Sequence, residues 1–148
     1  MNNAAEWFAN QEQKERVKKR PLVIAVDFDG TLCESKWPEI GEPNYGMLAY
    51  CIAQRASGAK LILWTCRSGD MLQQAIDWCA GHHLEFDAIN DNLQQSKAHF
   101  GGDTRKVWAD VYIDDKSANL EEVDRIGLKI LFEHLSNDRA EALDNAIE

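Results

Sequence analysis

Residues 22–26 form an unbroken apolar run that is too short for a helix and lacks the alternation of a strand with one face in water. The run therefore predicts a buried parallel strand. Residues 61–64 and 111–113 repeat the pattern, and residues 86–89 form a weaker one. Because segments of helical spacing separate these strands, we expect an α/β, doubly wound fold, in which helices cover both faces of a parallel sheet.

Two helices are predicted on either side of the second strand. The first includes Leu48 and Cys51 on its apolar face and ends before Gly58. The second includes Leu72 and ends at Gly81. These helices supply the crossovers that a parallel sheet requires.

The chain beyond the fourth strand is predicted to add three further elements. The pattern indicates a helix over residues 118–126, an edge strand over residues 129–132 and a helix over residues 136–147.

Two connections, residues 32–44 and 91–103, are predicted to be loops. Both are far shorter than the roughly 50 residues of a small domain, so neither holds an inserted cap domain. Trp37 and Tyr45 belong to the first connection and its end. They are expected either to stack on a base or sugar or, as aromatic loop residues more commonly do, to fasten the loop to its own domain.

The length of 148 residues is that of one domain, which we place at residues 21–148. Residues 1–20 read as an N-terminal helical extension, because residues 4–19 contain neither Gly nor Pro. Its Trp7 and Phe8 fit two placements, across a partner subunit in a homo-oligomer or across the edge of the chain's own sheet. The second placement is slightly favoured.

The composition indicates which classes of binding partner are expected for this chain. The formal net charge of −9 argues against a nucleic-acid backbone as the main ligand, although it does not exclude a nucleotide. No apolar run is long enough to cross a bilayer, and the N-terminus does not resemble a secretory signal. The four cysteines show no metal-binding spacing. We therefore expect a cytoplasmic protein with reduced thiols and no membrane partner.

Polar residues follow the predicted strands at the edge where a parallel α/β sheet binds its ligands. They are Asp27, Asp29, Thr65, Asn90, Asp114 and Asp115. Four carboxylates at neighbouring strand ends repel one another unless a cation or raised pKa values compensate. Oxygen ligands without His or Cys favour Mg²⁺. Aspartates also cap helices and turns, but two pairs beside a hydroxyl are less well explained in that way.

The spacing of Asp27 and Asp29 suggests that the two aspartates have different chemical roles. Asp27 and Asp29 are two residues apart, so in an extended chain they point the same way, and Gly30 allows a tight turn directly after them. A carboxylate can attack a metal-bound phosphoryl group, and the resulting aspartyl phosphate is then hydrolysed. We expect one aspartate to attack while the other transfers protons.

These residues carry a resemblance to a known family. Asp27-Phe28-Asp29-Gly30-Thr31-Leu32 resembles the first motif of the haloacid dehalogenase superfamily of phosphatases. Leu63-Trp64-Thr65 resembles its second motif, and Ile113-Asp114-Asp115 its fourth. Within the superfamily, the chain is similar to a group of small bacterial and phage proteins. The resemblance implies a Rossmann-like fold with an uncapped site.

The resemblance also implies roles for individual residues. Asp27 would be the nucleophile and a metal ligand, and Asp29 the general acid/base whose backbone carbonyl also binds the metal. Thr65 would donate to a phosphoryl oxygen. Asp114 would bind Mg²⁺, with Asp115 in or near the second shell of the metal. Taken alone, Thr65 would be read as a β-branched residue finishing a strand.

The third motif of the family is a lysine that neutralises the phosphoaspartate, and three lysines compete for it: Lys97, Lys106 and Lys116. Lys106 is favoured if Thr104 or Asp103 caps a short helix leading to the fourth strand. Lys97 takes the role if the strand instead begins near Lys106.

Two further residues are predicted to bind substrate. Gly30 lies in the first motif, and Arg67 could fork onto a substrate phosphate, although an ion pair is nearly as plausible for it. The four histidines show no ligand-like spacing and are treated as structural or surface residues.

The favoured function is a Mg²⁺-dependent phosphomonoester hydrolase acting on a phosphorylated small molecule or nucleotide. A nucleotidase or polynucleotide end phosphatase of the same superfamily is the second hypothesis. The third is a non-catalytic switch resembling receiver domains, which is disfavoured because a receiver carries its phosphorylated aspartate on the third strand, where this chain has Asn90.

Overall fold

The structure is a computed structural model that describes residues 20–147, with side chains described for residues 20–137. The predicted extension therefore lies outside the described residues, apart from Arg20 at its end. The described chain divides into two compact units, one ending at Asp115 and one beginning at Lys116, whereas the sequence predicts a single domain over residues 21–148.

The described part of the first unit, residues 20–115, contains six strands and three helices. The strands are β1 (Val23–Val26), β2 (Cys33–Lys36), β3 (Glu39–Pro43), β4 (Lys60–Leu63), β5 (Ala88–Ile89) and β6 (Val111–Ile113). The helices are α1 (Tyr45–Ala56), α2 (Gly69–Gly81) and α3 (Gln94–Phe100). The second unit is formed by α4 (Leu120–Ile147).

Four strands form one parallel sheet in the order β5-β4-β1-β6. The first two crossovers run outward from β1 through β4 to β5, and the third returns to the other side of β1 to form β6. The predicted doubly wound α/β fold is thereby confirmed. This reversal lies between β1 and β6, and open α/β sheets bind ligands at such a point, beyond the carboxyl ends of the strands.

Alternation along β1 sends its side chains into two cores. Ile24 and Val26 pack with the buried faces of α1 and α2, which include Leu48 and Cys79. On the opposite face, Ala25 packs in a cluster with Val23, Ile62, Leu93, Val107 and Ala109. Strand β1 is therefore buried on both faces, as its unbroken apolar run requires.

The predicted loop at residues 32–44 is a β-hairpin, because β2 and β3 pair in an antiparallel arrangement. Asn44 joins the hairpin to α1, since its amide donates to Thr31 O at 3.1 Å and its Oδ1 accepts from Met47 N at 3.2 Å. No inserted domain lies within the described residues 20–115, and the hairpin is the only structure between β1 and α1.

The remaining differences from the predicted elements concern length and type. The third strand is shorter than predicted, and the loop predicted at residues 91–103 contains α3. The edge strand predicted at residues 129–132 is wrong, because this segment lies inside α4. That helix begins beside Asn119, whose Oδ1 accepts from the backbone N–H groups of Glu121 and Glu122, and it is rich in Leu, Ala, Glu and Asp.

The four cysteines are unpaired. Cys33, Cys51 and Cys79 are buried and Cys66 is exposed. Burial raises the pKa of Cys51 to about 11, so this thiol is unreactive and serves packing. Within residues 20–147, no helix has both the length and the apolar content needed to cross a membrane.

Candidate functional site

The four parallel strands end level with one another. Val26 pairs with Leu63 on one side and with Ile113 on the other, and Leu63 pairs with Ile89. The residues that follow the strands, including Asp27 and Asp114, are thus brought to one edge of the sheet. The Asp27 N–H donates to Ile113 O at 2.9 Å. This main-chain hydrogen bond fixes the backbone of Asp27 relative to the end of β6.

Asp27, Asp114 and Asp115 form an acidic cluster at this edge. One carboxylate oxygen from each lies within 4.8 Å of the others, a spacing that suits ligands of one metal ion. Asp27 is partly buried, and the other two are exposed. The structure therefore brings together three of the four carboxylates predicted to lie at a metal site.

Electrostatics favour a cation in this cluster. The pKa of Asp27 is raised from 3.8 to about 6, chiefly because burial disfavours its charged form and further because Asp114 and Asp115 are nearby negative charges. A cation would relieve both effects. Since the donors are all carboxylate oxygens, the cluster fits a hard ion such as Mg²⁺.

The turn after β1 is shaped around Asp115. Gly30 has φ +81°, and a Cβ at this position would overlap the Asp115 carboxylate. Thr31 is buried, and its hydroxyl accepts from the Asp115 N–H at 3.1 Å. The prediction assigned Gly30 to substrate, whereas here it makes room for a carboxylate of the cluster. The role of Thr31 was missed, although this residue lies in the first motif.

Thr65 follows β4 and is held by two hydrogen bonds. Its N–H donates to Asn90 Oδ1 at 2.8 Å, and its hydroxyl accepts from the Arg67 N–H at 3.1 Å. A hydroxyl that accepts one bond still has an O–H to donate, as its predicted role requires. Asn90 has φ +49°, which asparagine tolerates better than most residues. Asn90 is therefore a positioning residue for Thr65 that the sequence did not reveal as such.

Asp29 does not share the cluster of Asp27. The chain turns directly after β1, with the Leu32 N–H donating to Phe28 O at 2.9 Å, so the extended geometry assumed for the pair is interrupted. Asp29 accepts from Arg67 Nε at 2.8 Å and from Arg67 Nη2 at 2.7 Å. The metal ligation predicted for Asp29 is through its backbone carbonyl and does not use this carboxylate.

The guanidinium of Arg67 has a different environment from the predicted one, in which it would bind a substrate phosphate. Its side chain is 0% exposed, so the guanidinium forks onto Asp29 rather than onto an external phosphate. It also donates to Pro38 O at 3.2 Å and to Glu39 O at 3.0 Å. The ion pair was the alternative considered for Arg67, but its guanidinium is buried rather than on the surface, and its partner Asp29 is partly exposed.

The three candidate lysines have different surroundings. The helix expected to carry Lys106 is absent, because residues 104–110 have no regular secondary structure. Lys106 Nζ lies 5.0 Å from the centre of the Tyr112 ring. Lys97 forms ion pairs with Asp91 at 2.9 Å and Asp103 at 3.2 Å. Lys116 begins the second unit.

Comparison with known proteins finds a similar solved structure. No family model matches the sequence, and no curated protein matches it. The chain is similar to the solved structure of a conserved protein from Bacteroides thetaiotaomicron, with 38% sequence identity and a TM-score of 0.60. The match covers 67% of this chain and 79% of that protein.

Proposed function

We propose that this chain, which belongs to the same family as the conserved Bacteroides thetaiotaomicron protein, is a Mg²⁺-dependent phosphomonoester hydrolase of the haloacid dehalogenase type. The observation that carries the proposal is the acidic cluster of Asp27, Asp114 and Asp115 at the reversal point of the sheet. Its position beside Thr65 and Asp29 agrees with the motifs that resemble this superfamily.

Asp27 is the proposed nucleophile. Its carboxylate oxygen attacks the phosphorus of the substrate, a new O–P bond forms, and the bond from phosphorus to the leaving oxygen breaks. The leaving oxygen takes a proton from Asp29. In the second half of the reaction, Asp29 accepts a proton from water, which attacks the phosphorus and releases Asp27 and inorganic phosphate.

The carboxylates of Asp27, Asp114 and Asp115, with the backbone carbonyl of Asp29, are the proposed ligands of Mg²⁺. When bound, Mg²⁺ supplies positive charge against the developing negative charge of the phosphoryl group. The Thr65 hydroxyl is proposed to donate a hydrogen bond to a phosphoryl oxygen.

Lys106 remains the proposed neutralising lysine, although the helix expected to carry it is absent. Lys97 is a weaker candidate because its ammonium is already paired with two carboxylates outside the cluster. Val107, beside Lys106, packs in the core that contains Ala25. Asp27 lies two residues beyond Ala25, which supports an approach of Lys106 from this face of the sheet.

A nucleotide is the second candidate substrate, and exposed aromatic rings favour it. Trp37 is 56% exposed in the turn between β2 and β3, and Tyr45 is 71% exposed at the start of α1. Either ring could stack on a base. A higher kcat/KM for mononucleotides than for sugar phosphates, reduced in Trp37→Ala or Tyr45→Ala, would support this substrate class.

The receiver-like switch is disfavoured by strand order. A receiver-type sheet has the order 2-1-3-4-5, which places the third strand beside the first. Here the neighbours of β1 in the four-stranded sheet are β4 and β6, and β6 is the fourth strand of that sheet along the chain.

Phosphatase assays with p-nitrophenyl phosphate and a panel of phosphometabolites test the proposal. We expect Mg²⁺-dependent release of many phosphates per chain, and loss of activity by at least a thousandfold in Asp27→Asn. Asp87→Asn is the matched control, because Asp87 bonds to the Leu61 N–H at the opposite edge of the sheet. Hydrolysis of no substrate in the presence of Mg²⁺, or full activity in Asp27→Asn, would contradict the proposal.

A further inference from the structure

Arg67 connects three parts of the first unit through one buried side chain. Its guanidinium binds both carboxylate oxygens of Asp29. The same group donates to two carbonyls at the turn of the β2–β3 hairpin, Pro38 O and Glu39 O. Its backbone N–H donates to the Thr65 hydroxyl. The ends of β1 and β4 and the turn of the hairpin are therefore joined at Arg67.

Aromatic rings enclose the guanidinium. Its central carbon lies 5.1 Å from the ring centre of Phe28 and 5.1 Å from that of Trp37. Phe28 belongs to the core, and Trp37 belongs to the hairpin turn. A buried guanidinium without a partner is strongly unfavourable, so the hairpin and Asp29 both depend on this arrangement.

The geometry of the pair fixes the orientation of Asp29. Both of its oxygens receive N–H donors from the planar guanidinium of Arg67, so the carboxyl group is held in one plane. Contact with Asp29 correspondingly raises the pKa of Arg67.

We propose that Arg67 is a positioning residue that ties the hairpin to Asp29 and orients that carboxyl group for proton transfer during hydrolysis of the aspartyl phosphate. The inference rests on the proposed function for the role of Asp29 in catalysis. In this step the water oxygen bonds to phosphorus, the bond from phosphorus to the Asp27 oxygen breaks, and a water proton passes to Asp29. The hairpin is then part of the apparatus that supports proton transfer.

The first test measures the coupling without any assay of activity. Amide hydrogen exchange is followed by mass spectrometry in the wild type, Arg67→Lys and Asp29→Asn. We expect at least tenfold faster exchange across residues 33–43 in both variants. Arg55→Lys is the matched control, because the ion pairs of Arg55 are longer, to Glu85 at 3.7 Å and Asp87 at 4.0 Å. Unchanged exchange of the hairpin in both variants would overturn the coupling.

The second test follows the two halves of the reaction with p-nitrophenyl phosphate. In Arg67→Lys we expect a burst of p-nitrophenol close to one per active site, a steady rate at least tenfold lower, and an aspartyl phosphate that can be trapped by acid. A merely structural defect would lower the burst and the steady rate together. That outcome, with no trapped phosphoenzyme, would overturn the positioning role.

Trp37→Ala provides a second variant, because it removes an exposed ring that covers the guanidinium and leaves the ion pair in place. We expect the same changes as in Arg67→Lys, but smaller. If the wild type hydrolyses no phosphomonoester, the proposed function fails, whereas the exchange experiment still decides whether Arg67 couples the hairpin to Asp29.

Discussion

The ionisation of Asp27 is shifted chiefly by burial and further by the neighbouring carboxylates of the acidic cluster. Its pKa of about 6 lies above the ordinary value of 3.8, so without metal its protonation favours the folded state. This contribution is complete below about pH 4 and is lost as the pH rises through 6. A metal ion that binds the carboxylate must displace the proton.

We therefore predict that Mg²⁺ binds about tenfold more weakly at pH 5 than at pH 7.5, because most Asp27 is protonated at the lower pH. Isothermal titration calorimetry in buffers of different ionisation enthalpy would measure both the affinity and the protons released. Asp27→Asn should weaken binding and flatten its pH dependence. An affinity that is constant between pH 5 and pH 7.5 in the wild type would contradict the assignment.

A second prediction concerns substitution of Gly30, for which Gly101 provides the matched control. Alanine at Gly30 must adopt φ +81° and place a Cβ against the Asp115 carboxylate. Alanine at Gly101 must adopt φ +69° but meets nothing within 4 Å. Both variants should lose about 1–2 kcal/mol of folding free energy from the left-handed backbone.

Only Gly30→Ala should also weaken Mg²⁺ binding, because only this variant displaces a residue of the cluster. Urea unfolding measures the first effect and calorimetry the second. Equal Mg²⁺ affinity in the two variants would show that the position of Asp115 does not depend on the space at Gly30.

Individual residues also show what a sequence can reveal about a site. Asp27 and Asp114 were predictable because both directly follow apolar runs that form parallel strands, and parallel strands present their carboxyl ends at one end of the sheet. The pairing of Arg67 with Asp29 was not predictable. It depends on a turn that redirects Asp29 and on a hairpin that covers Arg67. Neither of these produces a periodic pattern of apolar residues in the sequence.

At the scale of elements, periodicity identified the segments that pack against the sheet. The helices α1 and α2 were predicted because each buries one face, whereas the hairpin contains Gly41 and Pro43 and has mostly exposed or partly exposed residues. The segment 129–132 was misassigned to a strand because its short apolar part, residues 130–132, has no period of its own within a long helix.

The segment between β5 and β6 depends on Asn92. This buried side chain donates to Asp103 Oδ1 at 2.8 Å and to Thr104 O at 3.1 Å, and it accepts from the Trp108 N–H at 2.7 Å. One residue thereby fixes the path of the chain from α3 to the start of β6.

We predict that Asn92→Ala lowers the free energy of unfolding by about 1–3 kcal/mol, because it leaves buried polar groups without partners. Thermal or urea unfolding would measure the change. The control is Gln73→Ala, which removes an exposed hydrogen bond to Asp77 and should change stability by less than about 0.5 kcal/mol. Similar losses in the two variants would show that the network around Asn92 is not structurally important.

At the scale of the whole molecule, the net charge of −9 means that any salt screens part of the repulsion between negatively charged side chains. Specific binding of Mg²⁺ must be separated from this general screening. A ligand at 100 times its Kd stabilises the folded state by about 2.7 kcal/mol.

We accordingly predict that Mg²⁺ raises the Tm by roughly 5–10 °C relative to NaCl at the same ionic strength. Asp114→Asn should lose most of this additional shift while it retains the response to NaCl, and chelation of the metal should reverse the shift in the wild type. If Mg²⁺ and NaCl shift the Tm equally, the cluster does not bind the metal specifically.

The main-chain bond from Asp27 to Ile113 has a consequence for how such a protein can evolve. It joins the two strands that carry the acidic cluster without using any carboxylate, so the scaffold does not depend on the identity of the side chains it presents. Substitutions at positions 27, 114 and 115 can therefore change the chemistry of the acidic cluster while the sheet persists. Descendants of one such chain can diverge in chemistry and keep a common fold.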